Sequence, residues 1–169
     1  MVRLDVEAWW TVLLTGQPPI LLPTDRHFLP DPKQLEDLLR RDQTIALIVL
    51  NSPNNPSGAV YPLGLIQEMA GIIGQHPEVG IISDEVYRTI LYDDHQHESI
   101  ATYLPGQTFV LGGMSKEISG TGLRLGFVAG PETISQTIAI VEGNVSSCVN
   151  LPTQKGYAHF LPQDANLQL

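Results

Sequence analysis

The sequence predicts an α/β domain with a mainly parallel sheet flanked by helices. Three observations carry that expectation. Short apolar runs rich in β-branched residues recur along the chain, segments with helical spacing lie between them, and polar residues collect just after three of the runs. A chain of 169 residues with 43% hydrophobic content suffices for one domain with its own core.

The elements follow in order. Ala8 to Thr15 (AWWTVLLT) reads as a short helix stopped by Gly16, with Trp9 and Trp10 as core packing. "QPPILLP" then reads as a turn and a short strand. In "PDPKQLEDLLRR", Asp31 is placed to N-cap, Pro32 suits the first helical position and Gln34 completes a capping-box pattern. Leu35, Leu38 and Leu39 form that helix's apolar face. Ile45 to Leu50 (IALIVL) is expected as a strand buried on both faces of a parallel sheet. After the turn-rich "NSPNNPSGAVYP", a helix is expected over Leu63 to Gln75, weakened by Gly64, Gly71 and Gly74. "VGIIS" is the next strand, ending at Asp84. "TFVLGG" is the third, ending just before Lys116, and "RLGFVAG" the fourth. Pro131 opens a last helix, closed by Gly143. No internal repeat or low-complexity linker divides the chain.

Composition excludes several classes. The formal net charge of −9 argues against nucleic acid or an anionic membrane as partner. The single cysteine, Cys148, excludes an internal disulfide and is expected as a small buried hydrophobe in a reducing compartment. The opening residues lack the basic region and apolar run of a signal peptide, and the apolar stretches are too short to span a bilayer. A soluble, cytoplasmic chain is the expectation. "DDHQHE", Asp93 to Glu98, carries metal-binding residue types but reads as a solvated loop. No metal set emerges, and no Ser-His-Asp arrangement is expected, because no histidine lies near a strand end.

In open α/β sheets, ligands bind beyond the carboxyl ends of the strands. Three such ends carry polar groups here: Asn51 to Pro56, Ser83 to Tyr87, and Ser115-Lys116. Lys116 is one of three lysines in the chain, and Arg124 follows it by eight residues. An amide, a carboxylate, a phenol, an amine and a guanidinium around one rim suit an aromatic aldehyde with a phosphate and a basic ring nitrogen. The amine condenses with the aldehyde, the carboxylate keeps the ring nitrogen protonated, and the guanidinium binds the phosphate. That ligand is pyridoxal 5'-phosphate. Taken singly, Lys116 also reads as a solvated lysine, Arg124 as an ion-pair partner, Asp84 as a helix cap, Tyr87 as core and "NNPSG" as a turn.

"NSPNNPSG", "SDEVY" and "SKEISGTGLRLG" resemble, in order and spacing, the three characteristic segments of class I/II aminotransferases, the fold type I pyridoxal-phosphate enzymes. The resemblance runs from about Trp9 to about Phe160. It implies that Lys116 holds the cofactor as an internal aldimine and shuttles the α-proton. It implies further that Asp84 pairs with the pyridinium nitrogen, that Asn55 and Tyr87 hydrogen-bond the ring oxygen, and that Arg124 binds the phosphate. Asn55-Pro56 becomes a candidate cis bond. The implied reaction is transamination between an amino acid and a 2-oxo acid, aspartate-aminotransferase-like, in a family that is usually homodimeric.

The chain departs from the family pattern in two ways. Members are well over twice this length, so residues 1–169 correspond to part of the large, cofactor-binding domain. The phosphate loop, the ring-stacking aromatic and the C-terminal small domain with its substrate-carboxylate arginine find no counterpart. Sheet edges and apolar faces are therefore expected to be exposed. Where many members carry Ser or Thr three residues before the lysine, this chain has Gly113. Two alternatives stay open: a non-catalytic remnant that at most binds pyridoxal phosphate, and a C–S lyase of the same fold.

Overall fold

A computed structural model describes residues 19–160. The expected helix at Ala8 to Thr15, with Trp9 and Trp10, and the polar tail from Leu161 onward lie outside the described residues. The elements are α1 (Pro32–Arg41), β1 (Leu47–Asn51), α2 (Leu63–Ile73), β2 (Gly80–Asp84), β3 (Thr108–Gly113), the single-turn α3 (Met114–Glu117), β4 (Gly126–Ala129), α4 (Glu132–Val145) and α5 (Leu151–Phe160). Short 3-10 turns at Ile100–Thr102 and Thr121–Leu123 precede β3 and β4.

The sheet runs β1-β2-β3-β4 in sequence order. The first two pairings are parallel, with Asn51 beside Asp84 and Asp84 beside Leu111. β4 returns antiparallel, setting Gly113 against Gly126. The parallel run puts the ends of β1, β2 and β3 on one rim, and the antiparallel return brings the start of β4 back to that rim.

The start of α1 follows from its sequence. Asp31 accepts a hydrogen bond from the Lys33 backbone N–H at 2.9 Å, and Pro32 occupies the first turn. Gln34 donates to the Asp31 carboxylate at 3.1 Å instead of reaching back to the cap's own N–H, a variant of the expected box. Leu35 and Leu39 bury almost completely, each contributing about 1.5–3 kcal/mol of burial. They join Ile66, Met69 and Ile73 of α2, with Ile48, Leu50 and Ile81 of the sheet, in one core cluster. Ile48 and Ile81 are register partners, so β1 and β2 point the same face at these helices.

Four expectations need correction. β1 is not buried on both faces: Ile48 and Leu50 are covered, whereas Leu47 and Val49 are only half-buried. α4 does not stop at Gly143 but runs to Val145, and the Ser146 N–H bonds the Glu142 carbonyl at 2.8 Å. A glycine ends a helix by turning left-handed, and Gly143 keeps the helical course. α5 was not anticipated, because Pro152 and Gly156 depress its helical propensity. Cys148 is exposed rather than buried.

The expected exposure of apolar surface is present. α4 buries no residue, and Ile140 and Val145 are 67% and 76% exposed. Among the described residues, no helix is long and apolar enough to cross a membrane, and no group of three potential metal ligands forms.

Candidate active site

The loop after β1 is organised by Asn51, which is buried at the strand end. Its Nδ2 donates to the Asp84 carbonyl at 3.1 Å, and its Oδ1 accepts from Asn54 Nδ2 at 2.9 Å and the Asn55 N–H at 3.1 Å. Asn54 Oδ1 in turn accepts from the Ser57 hydroxyl at 2.6 Å. Gly58, at φ 75, supplies the left-handed residue that closes the turn. Asn55-Pro56 is cis, as the family pattern implies, and so is Ser52-Pro53. "NSPNNPSG" is thus a built loop that fixes where Asn55 points.

Asn55 Nδ2 donates to the Tyr87 hydroxyl at 3.3 Å, across 32 residues of sequence. The Lys116 ammonium stands 5.5 Å from the centre of the Tyr87 ring, within the range of a cation–π contact. Among the described residues it makes no ion pair or hydrogen bond. Three of the five expected residues therefore meet, one from each strand end. Asn55 and Tyr87 also border a hollow of about 230 Å³ with Pro53, Pro56 and Ile90.

Asp84 ends β2 on the same rim, and its Oδ1 accepts from the Val86 N–H at 3.2 Å. It shapes a turn rather than capping a helix. Arg124 is exposed, and its Nη1 donates to the Thr121 carbonyl of its own turn at 3.0 Å. Its backbone is left-handed, φ 52 and ψ 45. Two main-chain bonds tie this turn to the lysine turn: Met114 N–H to Leu125 O at 3.2 Å and Gly120 N–H to Met114 O at 3.0 Å.

Gly113 has a packing reason. A Cβ there would lie 2.8 Å from the Leu125 carbonyl oxygen and 2.9 Å from Gly126 Cα. β4 passes too close for any side chain, so a serine or threonine has no room at this position.

Sequence reasoning missed two buried networks. Arg88, next to Tyr87, pairs through Nε with Glu117, next to Lys116, at 2.7 Å, and the side chains are 6% and 1% exposed. The Tyr157 hydroxyl of α5 donates to the other Glu117 oxygen, and both burial and that carboxylate push the Tyr157 phenol up. The second network corrects the expectation that no histidine lies near a strand end. His97 Nε2 sits 2.9 Å from Glu85 Oε2, while the Ser83 and Ser99 hydroxyls donate to Glu85 Oε1 at 2.8 and 2.6 Å. The serines bond the carboxylate rather than the imidazole, so this network is not a nucleophilic triad. Burial alone would raise the Glu85 carboxyl, but hydrogen bonds from His97, Ser99 and Ser83 outweigh it and hold it below the usual range. A sequence signal existed: a glutamate one residue past a strand end needs donors, and "HES" supplies two.

An amine with no ion pair among the described residues, a carboxylate, a phenol–amide pair and a guanidinium on a glycine-rich turn suit a phosphorylated aromatic aldehyde. The residues fit pyridoxal 5'-phosphate by type, and three of them by proximity.

The family model for aminotransferase class I and II matches residues 14–163. A bifunctional aspartate aminotransferase and glutamate/aspartate-prephenate aminotransferase of Petunia hybrida is 38% identical over 147 residues, covering 84% of this chain and 30% of that protein. Kynurenine–oxoglutarate transaminase 1 of Rattus norvegicus is 42% identical over 111 residues, covering 64% of this chain and 25% of that protein. The solved structure of Thermus thermophilus aspartate aminotransferase with maleate superposes with a TM-score of 0.78 at 29% identity, over 85% of this chain and 37% of that one. A Pyrococcus structure, protein-A1, gives 0.81 at 32% identity, over 88% and 38%. The chain spans 25–30% of the length of these curated relatives.

Proposed function

The chain belongs to the class I and II aminotransferases, and on that premise we propose that it carries the lysine side of a pyridoxal-phosphate site for transamination of an amino acid with a 2-oxo acid. The aspartate aminotransferases among its relatives favour an aspartate-type donor. The observation that carries the reading is the meeting of Asn55, Tyr87 and Lys116 from three strand ends.

When bound, the cofactor supplies an aldehyde that bonds to amines and a ring that absorbs electrons. Lys116 would offer the amine to that aldehyde, and its Nζ would serve as the base for the substrate's α-proton. Asp84 would keep a proton on the ring nitrogen, since a nearby carboxylate favours the charged ring. Asn55 and Tyr87, already hydrogen-bonded to each other, would bond the ring oxygen, with the Asn51 side chain holding the Asn55 N–H. Arg124 and the N–H groups of its turn would take the phosphate. Gly113 leaves no side-chain hydroxyl for that phosphate at its position.

One observation favours a second reading for the chain by itself, cofactor binding without turnover. Among the described residues, the cations placed at these strand ends are Lys116 and Arg124, both committed to the cofactor, and Arg88, committed to Glu117. None is left for a substrate carboxylate.

The experiment is titration of the purified chain with pyridoxal phosphate, followed by borohydride reduction and peptide mapping. The expected result is a visible absorbance band and a reduced adduct on Lys116, both lost in Lys116→Ala. An adduct that persists equally in Lys116→Ala overturns the site. Loss of the band on adding aspartate, with release of a 2-oxo acid, supports transamination; a band unmoved by amino acids selects the second reading.

A further inference from the structure

We propose that the buried Arg88–Glu117 pair, closed by Tyr157, is a brace that positions the Lys116 amine over Tyr87. The inference rests on the cofactor reading for its functional meaning, but its geometry stands independently. Each member of the pair is the direct neighbour of a site residue: Arg88 follows Tyr87, and Glu117 follows Lys116. One charge-assisted bond of 2.7 Å therefore joins the two segments whose side chains meet 5.5 Å apart. The brace reaches further elements as well. The Arg88 guanidinium lies 5.6 Å from the Phe127 ring of β4, and Tyr157 of α5 packs at 6.3 Å from the same ring.

This pair is a poor device for stability. Burying two charges costs desolvation that an apolar pair would avoid. Among the described residues, Arg88 Nη2 is buried without a hydrogen-bond partner, so the guanidinium is also incompletely satisfied. What a directional ion pair supplies, and an apolar pair does not, is one fixed register between the segments. Here that register sets the amine of a single-turn helix, which has too few internal hydrogen bonds to fix itself. Arg88 and Tyr157 bond Glu117 rather than the Lys116 amine, so the three act as positioning residues.

The chain's three lysines make the test direct. Reductive methylation with ¹³C-formaldehyde gives one dimethylamine NMR signal per lysine, and the Tyr87 ring shifts that of Lys116 upfield. Tyr87→Leu assigns the shift by removing it. The triple variant Arg88→Met, Glu117→Met, Tyr157→Phe is expected to keep or gain thermal stability yet lose the upfield shift, with Lys33 unchanged. In parallel, its rate of pyridoxal-phosphate adduct formation at Lys116 should fall about tenfold or more, the scale of a small misplacement of a reacting group. The charge-swapped pair, Arg88→Glu with Glu117→Arg, should recover part of the shift. Should the triple variant unfold, Glu117→Gln decides the matter: it keeps a weaker hydrogen bond to Arg88 and should show an intermediate shift. A full upfield shift in a folded triple variant, or in Glu117→Gln, overturns the brace. Absence of any adduct in the unmodified chain overturns the cofactor reading alone, because the NMR shift is read without cofactor.

Discussion

The side-chain amide of Asn51 donates to the main-chain carbonyl of Asp84 across 3.1 Å, stitching together two strand ends that are register partners. The same side chain accepts from Asn54 and Asn55, so one buried amide sets both the loop after β1 and the residue that meets Tyr87. Asn51→Ala leaves those groups without partners and should destabilise the chain by about 1–3 kcal/mol in urea denaturation. Asn51→Asp keeps the acceptor but sets a buried carboxylate oxygen against the Asp84 carbonyl, and should be no more stable than Asn51→Ala. Equal stability of all three proteins would mean that the loop holds itself.

At Gly113 the expectation concerns the family's missing hydroxyl. Gly113→Ser restores the residue type found elsewhere, yet its Cβ would press on Leu125 O and Gly126 Cα, backbone atoms that cannot swing aside. Overpacking of this kind costs about 1–3 kcal/mol. The variant should be less stable and should bind pyridoxal phosphate no better, while Gly122→Ala, where nothing lies within 4 Å of the new methyl, should be near neutral. Tighter cofactor binding by Gly113→Ser would show that β4 yields.

Glu85 predicts an acid limb in stability. Burial opposes its charge, but hydrogen bonds from His97, Ser99 and Ser83 win, so its folded value lies below the unfolded one. A lowered carboxylate contributes stability that is fully present above the unfolded value of about 4.3 and is lost as pH falls through the lower folded value. Denaturation midpoints measured from pH 6 down to about pH 3 should decline through that window. Glu85→Gln should be less stable at pH 6 and show a flatter decline. A parallel decline in both proteins would place the acid sensitivity elsewhere.

Much of this was legible in the sequence for physical reasons. β-branched runs announce strands, and so Ile45 to Leu50, "VGIIS" and "TFVLGG" gave the parallel core and the rim where Asn55, Tyr87 and Lys116 meet. Asp31, Pro32 and Gln34 announced α1 because caps act within one turn. Interactions between distant residues left no such trace. Arg88 and Glu117 lie 29 residues apart and each looks like an ordinary surface charge. α5 was hidden because its helical propensity is poor and Tyr157, which docks it on Glu117, is a tertiary contact. His97 looked solvated within "DDHQHE" because its neighbours are, although its own ring turns inward to Glu85.

Arg124 combines a strained backbone with a proposed phosphate contact, and the two can be separated. Its φ of 52 and ψ of 45 lie in the left-handed region, which costs a residue with a Cβ roughly 1–2 kcal/mol and glycine almost nothing. Strain of this kind collects at functional sites, where a side chain is needed despite its backbone. Arg124→Ala keeps the strain and removes the guanidinium, while Arg124→Gly removes both. Arg124→Gly should therefore be more stable than Arg124→Ala by about 1 kcal/mol, and no less stable than the parent chain, whose guanidinium makes one exposed bond to Thr121. Both should bind pyridoxal phosphate about tenfold or more weakly, as loss of a charge-assisted contact implies. Pyridoxal, which lacks the phosphate, should bind all three proteins alike. A preference for pyridoxal phosphate that survives in both variants would remove Arg124 from the site and leave its left-handed turn unexplained by function.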